Sequence, residues 1–422
     1  MKRKVEAQLI AWKNKSSERQ PLLVNGARQV GKTYILRKFG EEQFKNVVYV
    51  NLETNLIIAS YFNDNIAPER LLRYLEASTG ERIIAGETLI FFDEIQSCER
   101  ALTSLKYFCE ETPEFHIAAA GSLLGVAINR QHYSFPVGKV ETITMYPLDF
   151  EEYLWARGKE FLASEIRSAF ETMIALPDAL HAEATELYRE YLLIGGMPAS
   201  INAFLRSGSF LDVSLVQNEI LDNYIADMAK YASNADSVKI RACYNSIPAQ
   251  LAKDNRKFQY KVVQKGGSAS LFGASIEWLY LAGVVLKCQR ISQAFEPISV
   301  YADLSAFKLY MGDVGLLTAK SGLSQQTVLS GEGNTFMGAV TENYVAQQLA
   351  ANGHDLYYWE SNNTAELDFV LQSGNQVMAI EVKKGEHVRS RSLNLFIGTY
   401  HPSCAIRLSL KNFGEKDGQR DS

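Results

Sequence analysis

Eight consecutive residues, Gly26-Ala27-Arg28-Gln29-Val30-Gly31-Lys32-Thr33, carry the spacing G-x-x-x-x-G-K-[ST]. The chemistry this suits is binding of a polyphosphate. Glycines let the backbone curl so that successive N–H groups point inward, and a helix starting at the loop's end offers its partly positive terminus to the same anion. Lys32 would reach the outer phosphates and Thr33 would hold Mg²⁺ through its hydroxyl. Further on, the apolar run Leu89-Ile90-Phe91-Phe92 leads into two adjacent carboxylates, Asp93 and Glu94. With ATP as ligand, Asp93 would sit beside Mg²⁺ at the carboxyl end of a strand and Glu94 would polarise the attacking water. The plainer use of such a pair is to cap the next helix. Ser122, just after another apolar run, could read the outer phosphate or cap the segment after it, and both uses stand.

These residues need a scaffold, and the flanking pattern supplies one. Leu22-Leu23-Val24 precedes the loop, and Asn46 to Asn51, Phe115 to Ala120 and Lys139 to Thr144 are further strand-like runs, most of them separated by helical segments. That alternation predicts an α/β fold with a parallel sheet covered on both faces. The strand before the loop and the strand ending at Asp93 have another strand between them in sequence. His116 is expected to be a packed core histidine.

Composition sets limits on the rest. The chain has 422 residues, 47% hydrophobic and 22% charged, with a formal charge of −5. The acidic balance excludes a whole-chain signature of nucleic-acid binding and leaves only local patches. Five cysteines without a C-x-x-C pair read as reduced packing residues in a cytoplasm. No apolar run is long enough to span a bilayer, and the basic start has no apolar stretch behind it, so neither a membrane anchor nor a signal peptide is expected.

Several islands resemble one family, the AAA-type ATPases of bacteria and archaea whose second half was long called a domain of unknown function. They are Gly26 to Thr33, Phe92-Asp93-Glu94-Ile95-Gln96, Gly121-Ser122, Met145 to Leu154, Gly195-Gly196-Met197-Pro198 and Lys308 to Leu317. The resemblance implies an ATPase domain over residues 1–155, a helical linker with a winged-helix module over 156–320, and a nuclease-like domain over 321–422. Where the family usually has arginine before its Pro-Leu-x-Phe segment, this chain has Lys139, which lacks the planar fork. No catalytic role is therefore expected of Lys139, and Arg28 is read first as a partner for nearby carboxylates.

From Phe150 to about Ser233 apolar residues recur at helical spacing, predicting a helical lid or linker packed on the ATPase sheet and broken at Gly195-Gly196. Helices ahead of a hairpin near Val284 and Phe307 fit the winged-helix expectation. The basic stretch from Lys253 to Lys265, with Arg256, Lys257, Lys261, Phe258 and Tyr260, is a candidate DNA contact, a solvated face being its ordinary use.

Near the C-terminus, Asp368 followed by Glu381 and Lys383 resembles the restriction-endonuclease-like signature, D, a gap, then E-x-K. Glu381 and Lys383 share one face of a strand. A two-residue turn at Gly374-Asn375 would pair Ser373 with Gln376 and bring Asp368 opposite Glu381, whereas a three-residue loop would spoil the site. On the resemblance, Asp368 and Glu381 hold Mg²⁺, Lys383 activates water, and Glu342 completes the shell. The polar tail from Lys411 onward is expected to fray. The sequence therefore reads as an ATP- and Mg²⁺-dependent ATPase with a DNA-facing, nuclease-like second half. The alternatives are a nucleotide-dependent switch and an inactive nuclease-like module for interaction or assembly, with the oligomeric state left open.

Overall fold

The computed structural model describes residues 1–15, 19–122, 135–331, 334–361, 365–383, 391–416 and 419–421. The chain divides into two units, residues 2–146 with 281–283, and the rest.

Five parallel strands form the N-terminal unit: β1 (Leu22–Asn25), β2 (Asn46–Asn51), β3 (Thr88–Asp93), β4 (His116–Ala120) and β5 (Glu141–Thr144). Their order is β2-β3-β4-β1-β5. β3 and β4 are buried at every position. This is why they read as unbroken apolar runs: a strand covered on both faces has no solvent side to impose alternation. Because β4 lies between β1 and β3, the phosphate-type loop, Asp93 and Ser122 all follow the carboxyl ends of neighbouring strands. His116 opens β4 at the opposite end. There it packs against the Trp12 and Phe44 rings at 5.7 and 4.9 Å, and burial lowers its pKa to about 4. It is a neutral core histidine.

The C-terminal unit begins with helices Phe150–Ala156, Glu160–Thr172, Asp178–Ile194, Pro198–Ser207, Phe210–Tyr231 and Asn234–Leu251. The expected apolar positions Leu187, Tyr191, Leu192, Ile220, Leu221, Tyr224 and Met228 are buried or nearly so. These helices were expected as a lid on the ATPase sheet. They group with the chain's second half, the compact units parting at Tyr146. The physical reason is a buried polar joint. The Asp313 carboxylate accepts from Gly196 N at 2.6 Å, from Leu316 N at 3.0 Å and from Gln347 Nε2 at 3.3 Å. A Cβ on Gly196 would stand 2.0 Å from the Leu148 carbonyl oxygen, so only glycine lets the helix end pack there.

Burial raises the Asp313 carboxyl to about 6 despite those hydrogen bonds. The sign follows from its folded pKa standing above the ordinary 3.8. The stability it contributes is complete below about pH 4 and is lost as pH rises through about 6, up to about 3 kcal/mol. Chemical denaturation of the C-terminal unit should therefore show stability falling from pH 5 to 7.5, with a flatter profile in Asp313→Asn. Parallel profiles would remove Asp313 as the cause.

Eight strands make the second sheet: β6 (Val285–Ile291), β7 (Ala302–Met311), β8 (Tyr357–Glu360), β9 (Glu366–Ser373), β10 (Gln376–Val382), β11 (Cys404–Leu408), β12 (Gly414–Lys416) and β13 (Gln419–Asp421). Their order is β12-β13-β11-β10-β9-β8-β6-β7. The hairpin β6–β7 does follow helices Asn234–Leu251, Tyr260–Val263 and Ala269–Leu281. Yet β6 also pairs in parallel with β8, so the hairpin is the edge of the large sheet and not a free wing. The tail departs from expectation too, since β12 and β13 extend the sheet from β11 and the Asn412 side chain is tied to the Leu176 backbone at 2.7 and 3.0 Å. Among the described residues no helix is long and apolar enough to cross a membrane.

Candidate functional site

The loop from Gly26 to Gly31 is held open by backbone angles that few residues accept. Gly26, Gln29 and Gly31 have φ of 138°, 68° and 97°, and a Cβ on Gly26 would meet the Met145 carbonyl oxygen at 2.1 Å. Gln29, lacking glycine's freedom, stores strain at the loop's crest. Lys32 opens the helix Lys32–Gln43 and is buried, its Nζ donating to the carbonyls of Gly26 and Ala27 at 2.8 Å each. The ammonium therefore lies inside the loop. Burial lowers it to about 8; Glu94 and Asp93 oppose that fall, and Arg28 adds to it.

Thr33 Oγ1 donates to Asp93 Oδ2 at 2.9 Å and reaches Oδ1 at 3.2 Å. Two residues the motifs do not mark support this pair. Tyr49 OH, on β2, donates to Asp93 Oδ2 at 3.0 Å, and burial followed by the Asp93 charge raises its pKa. Arg3 donates to the carbonyls of Val30 and Tyr146 at 3.1 and 2.7 Å, bracing the loop from outside. Glu94 has a left-handed φ of 51° and accepts from Gln96 Nε2 at 2.5 Å. Glu94 therefore starts a short 3₁₀ turn without capping it by side chain. Ser122 is buried directly beyond β4. Oxygen donors on Thr33 and Asp93, a cation in the loop and a glycine cradle fit Mg²⁺ with a triphosphate. Lys139, by contrast, is half-buried and pairs with Glu110 at 3.0 Å.

The nuclease-like residues are placed differently. The hairpin pairs Ser373 with Gln376 and continues to Phe369 with Ile380, the register of a two-residue turn. Asp368 Oδ2 accepts from Val382 N at 2.8 Å, and Lys383 Nζ lies 2.7 Å from Glu381 Oε1. Glu342 does not complete a metal shell with them. Its buried carboxylate accepts from Lys308 Nζ at 2.9 Å and from Tyr310 OH, and pairs with Arg256. Among the described residues no three His, Cys, Asp or Glu side chains are grouped to hold a metal. The residues do not fit the expected Mg²⁺ there, because protein cations already neutralise the helix carboxylate.

The basic stretch is also thinned. Arg256 pairs with Glu342, Lys257 with Glu360, and Lys253 donates to Gln259 Oε1 at 2.9 Å, leaving Lys261 and Lys265 exposed. Phe258 stacks on Phe307 with centroids 5.4 Å apart and is not presented to a base. The sequence could not show the pairings of Arg256 and Lys257, since Glu342 and Glu360 lie far along the chain from them.

Comparison with known proteins defines the class of the N-terminal unit. Residues 18–154 match the family model of the AAA domain, and the parallel sheet with its glycine loop fits the fold of a P-loop ATPase. Residues 185–327 and 337–420 match two domains of unknown function, DUF8612 and DUF4143. Two uncharacterized proteins, Mb2031c of Mycobacterium bovis and Rv2008c of Mycobacterium tuberculosis, are each 35% identical over 79 residues. That match spans 18% of this chain and 18% of each relative. Among solved structures, the Walker-type ATPase paby2304 of Pyrococcus abyssi is similar at a TM-score of 0.46 and 16% identity, covering 76% of this chain and 95% of that one. The ORC2 protein of Aeropyrum pernix is similar at 0.36 and 12%, covering 81% and 93%.

Proposed function

We propose that the protein hydrolyses ATP at the loop of Gly26 to Thr33. The observation that carries this reading is the direct contact of Thr33 with Asp93 beside a lysine already seated in the loop. Thr33 and Asp93 would hold Mg²⁺, which supplies charge neutralisation to the phosphates when bound. Lys32 exchanges two carbonyl acceptors for phosphate oxygens, and the loop amides take the charge between them. Glu94 orients the attacking water and receives its proton, released from Gln96 as the site fills. Ser122, beyond the strand between the loop and Asp93, reads the outer phosphate. Steady-state release of phosphate from Mg·ATP by the purified chain tests this, and absence of saturable turnover would overturn it.

For the C-terminal unit a second reading is favoured by a specific observation, the occupation of Glu342 by Lys308, Tyr310 and Arg256. Helix Met337–Ala351, the antiparallel strands β8, β9 and β10, a helix and the parallel strand β11 follow the order of a nuclease-like core. In our reading this core is retained for binding or assembly, its output set by the nucleotide, with Lys261 and Lys265 as the remaining candidates for a DNA phosphate contact. Supercoiled plasmid incubated with the protein and Mg²⁺ or Mn²⁺ should stay intact. Nicking that Asp368→Ala or Lys383→Ala abolishes would restore the nuclease.

A further inference from the structure

A cavity of about 730 Å³ lies within the C-terminal unit, walled by helices Phe150–Ala156, Glu160–Thr172, Asp178–Ile194 and Met337–Ala351 and by the chain from Ile406 to Phe413. No residue of the phosphate loop belongs to it. Its body is apolar, with Leu154, Ile166, Tyr188, Leu192, Val345 and Leu408 among the walls. A void of this size falls in the range that takes a whole small ligand.

The charges at the wall are unbalanced. Arg167, Arg189, Lys383 and Lys411 line it against one carboxylate, Glu151. Arg167 pairs with Glu151 at 2.8 Å, and Lys383 pairs with Glu381 at 2.7 Å. Arg189 has no carboxylate partner among the described residues. One guanidinium nitrogen donates to the Leu329 carbonyl at 3.3 Å, while its Nε is buried with no acceptor. A buried N–H left without a partner is costly, and an arginine fork matches a carboxylate. Phe170 and Lys411 are exposed at the same wall and give the cavity a side open to water.

We infer that this cavity binds an amphipathic carboxylate, an acyl chain lying along the apolar walls with its acidic head on Arg189. The chain supplies affinity by leaving water, and the head supplies selectivity by pairing with the outer nitrogens of the Arg189 guanidinium, which has no carboxylate of its own among the described residues. Every residue it uses lies in the C-terminal unit, outside the ATP site.

The test is a fluorescence titration of the full-length protein with cis-parinaric acid, run beside its methyl ester. The acid should bind saturably and at least about tenfold more tightly than the ester, the effect of one charge-assisted contact. Arg189→Met should erase that preference, bringing acid and ester to equal affinity. Ile166→Trp, which fills the cavity from a half-buried position, should weaken both ligands. Circular dichroism melts of each variant identify any loss that comes from misfolding. Equal affinity of acid and ester for the parent protein would overturn the inference, as would unchanged binding by a folded Ile166→Trp.

Discussion

Glu94→Gln is expected to bind Mg·ATP about as tightly as the parent and to release phosphate at least about a hundredfold more slowly. The amide keeps the size of the side chain and can still hold a water, but it cannot take a proton, and a positioned base is worth about 10²- to 10⁴-fold. Lys32→Ala should fail one step earlier, at binding. Its ammonium is the cation inside the loop, held 2.8 Å from two carbonyls. Equilibrium binding of a fluorescent ATP analogue and a coupled phosphate assay separate the two outcomes. The same lysine predicts the pH profile. Burial has lowered it to about 8, and a bound polyphosphate raises it again, so binding above that pH requires proton uptake. Affinity should fall by up to about tenfold per unit from pH 8 to 10. A Glu94→Gln enzyme that turns over at the parent rate would remove Glu94 from catalysis and leave only an ATP-binding loop.

The glycine loop and the strand that ends at Asp93 were legible because each is a contiguous run. A loop that must turn through positive φ needs glycines at fixed offsets, and a strand covered on both faces needs an apolar run, so Gly26, Gly31 and the run before Asp93 are local statements of the fold. Arg3 and Tyr49 carry no such mark. Each reaches the site through a side chain whose direction is set only when β2 and the helix Val5–Lys13 have packed. The turn at Gly374-Asn375 was legible for the same local reason, and Gly374, with a φ of 59°, takes the left-handed angle that a two-residue turn needs. What surrounds Asp368 was not. The pairing of β6 with β8 joins segments far apart in sequence, and it brings Lys308 to Glu342 and turns a would-be wing into a sheet edge. Spacing alone described the carboxylates correctly as a face and had no means of seeing the cations delivered to that face from another hairpin.

Lys308→Met should destabilise the C-terminal unit by about 3 to 5 kcal/mol, the cost of breaking a buried ion pair from one side. Lys308 has no exposed surface, and its Nζ stands 2.9 Å from Glu342 Oε1 and 2.6 Å from Glu366 Oε1. The two carboxylates do not suffer equally when it is removed. Glu366 keeps about a quarter of its side chain exposed and can turn to water, whereas Glu342 is 1% exposed and keeps only Arg256 and the Tyr310 hydroxyl. Glu366→Gln should therefore cost little, within about 1 kcal/mol, as partly exposed pairs do. Adding Glu342→Leu to Lys308→Met should recover part of the loss, because the stranded charge goes with it and the freed Arg256, 24% exposed, can reach solvent. Urea denaturation of the parent, Lys308→Met, Glu366→Gln, Glu342→Leu and the double variant, followed by a probe in the C-terminal unit, gives the five stabilities to compare. If Lys308→Met lies within about 1 kcal/mol of the parent, or if the two changes add without coupling, then the lysine is not what neutralises Glu342, and the carboxylate is free for the metal that the E-x-K spacing first suggested.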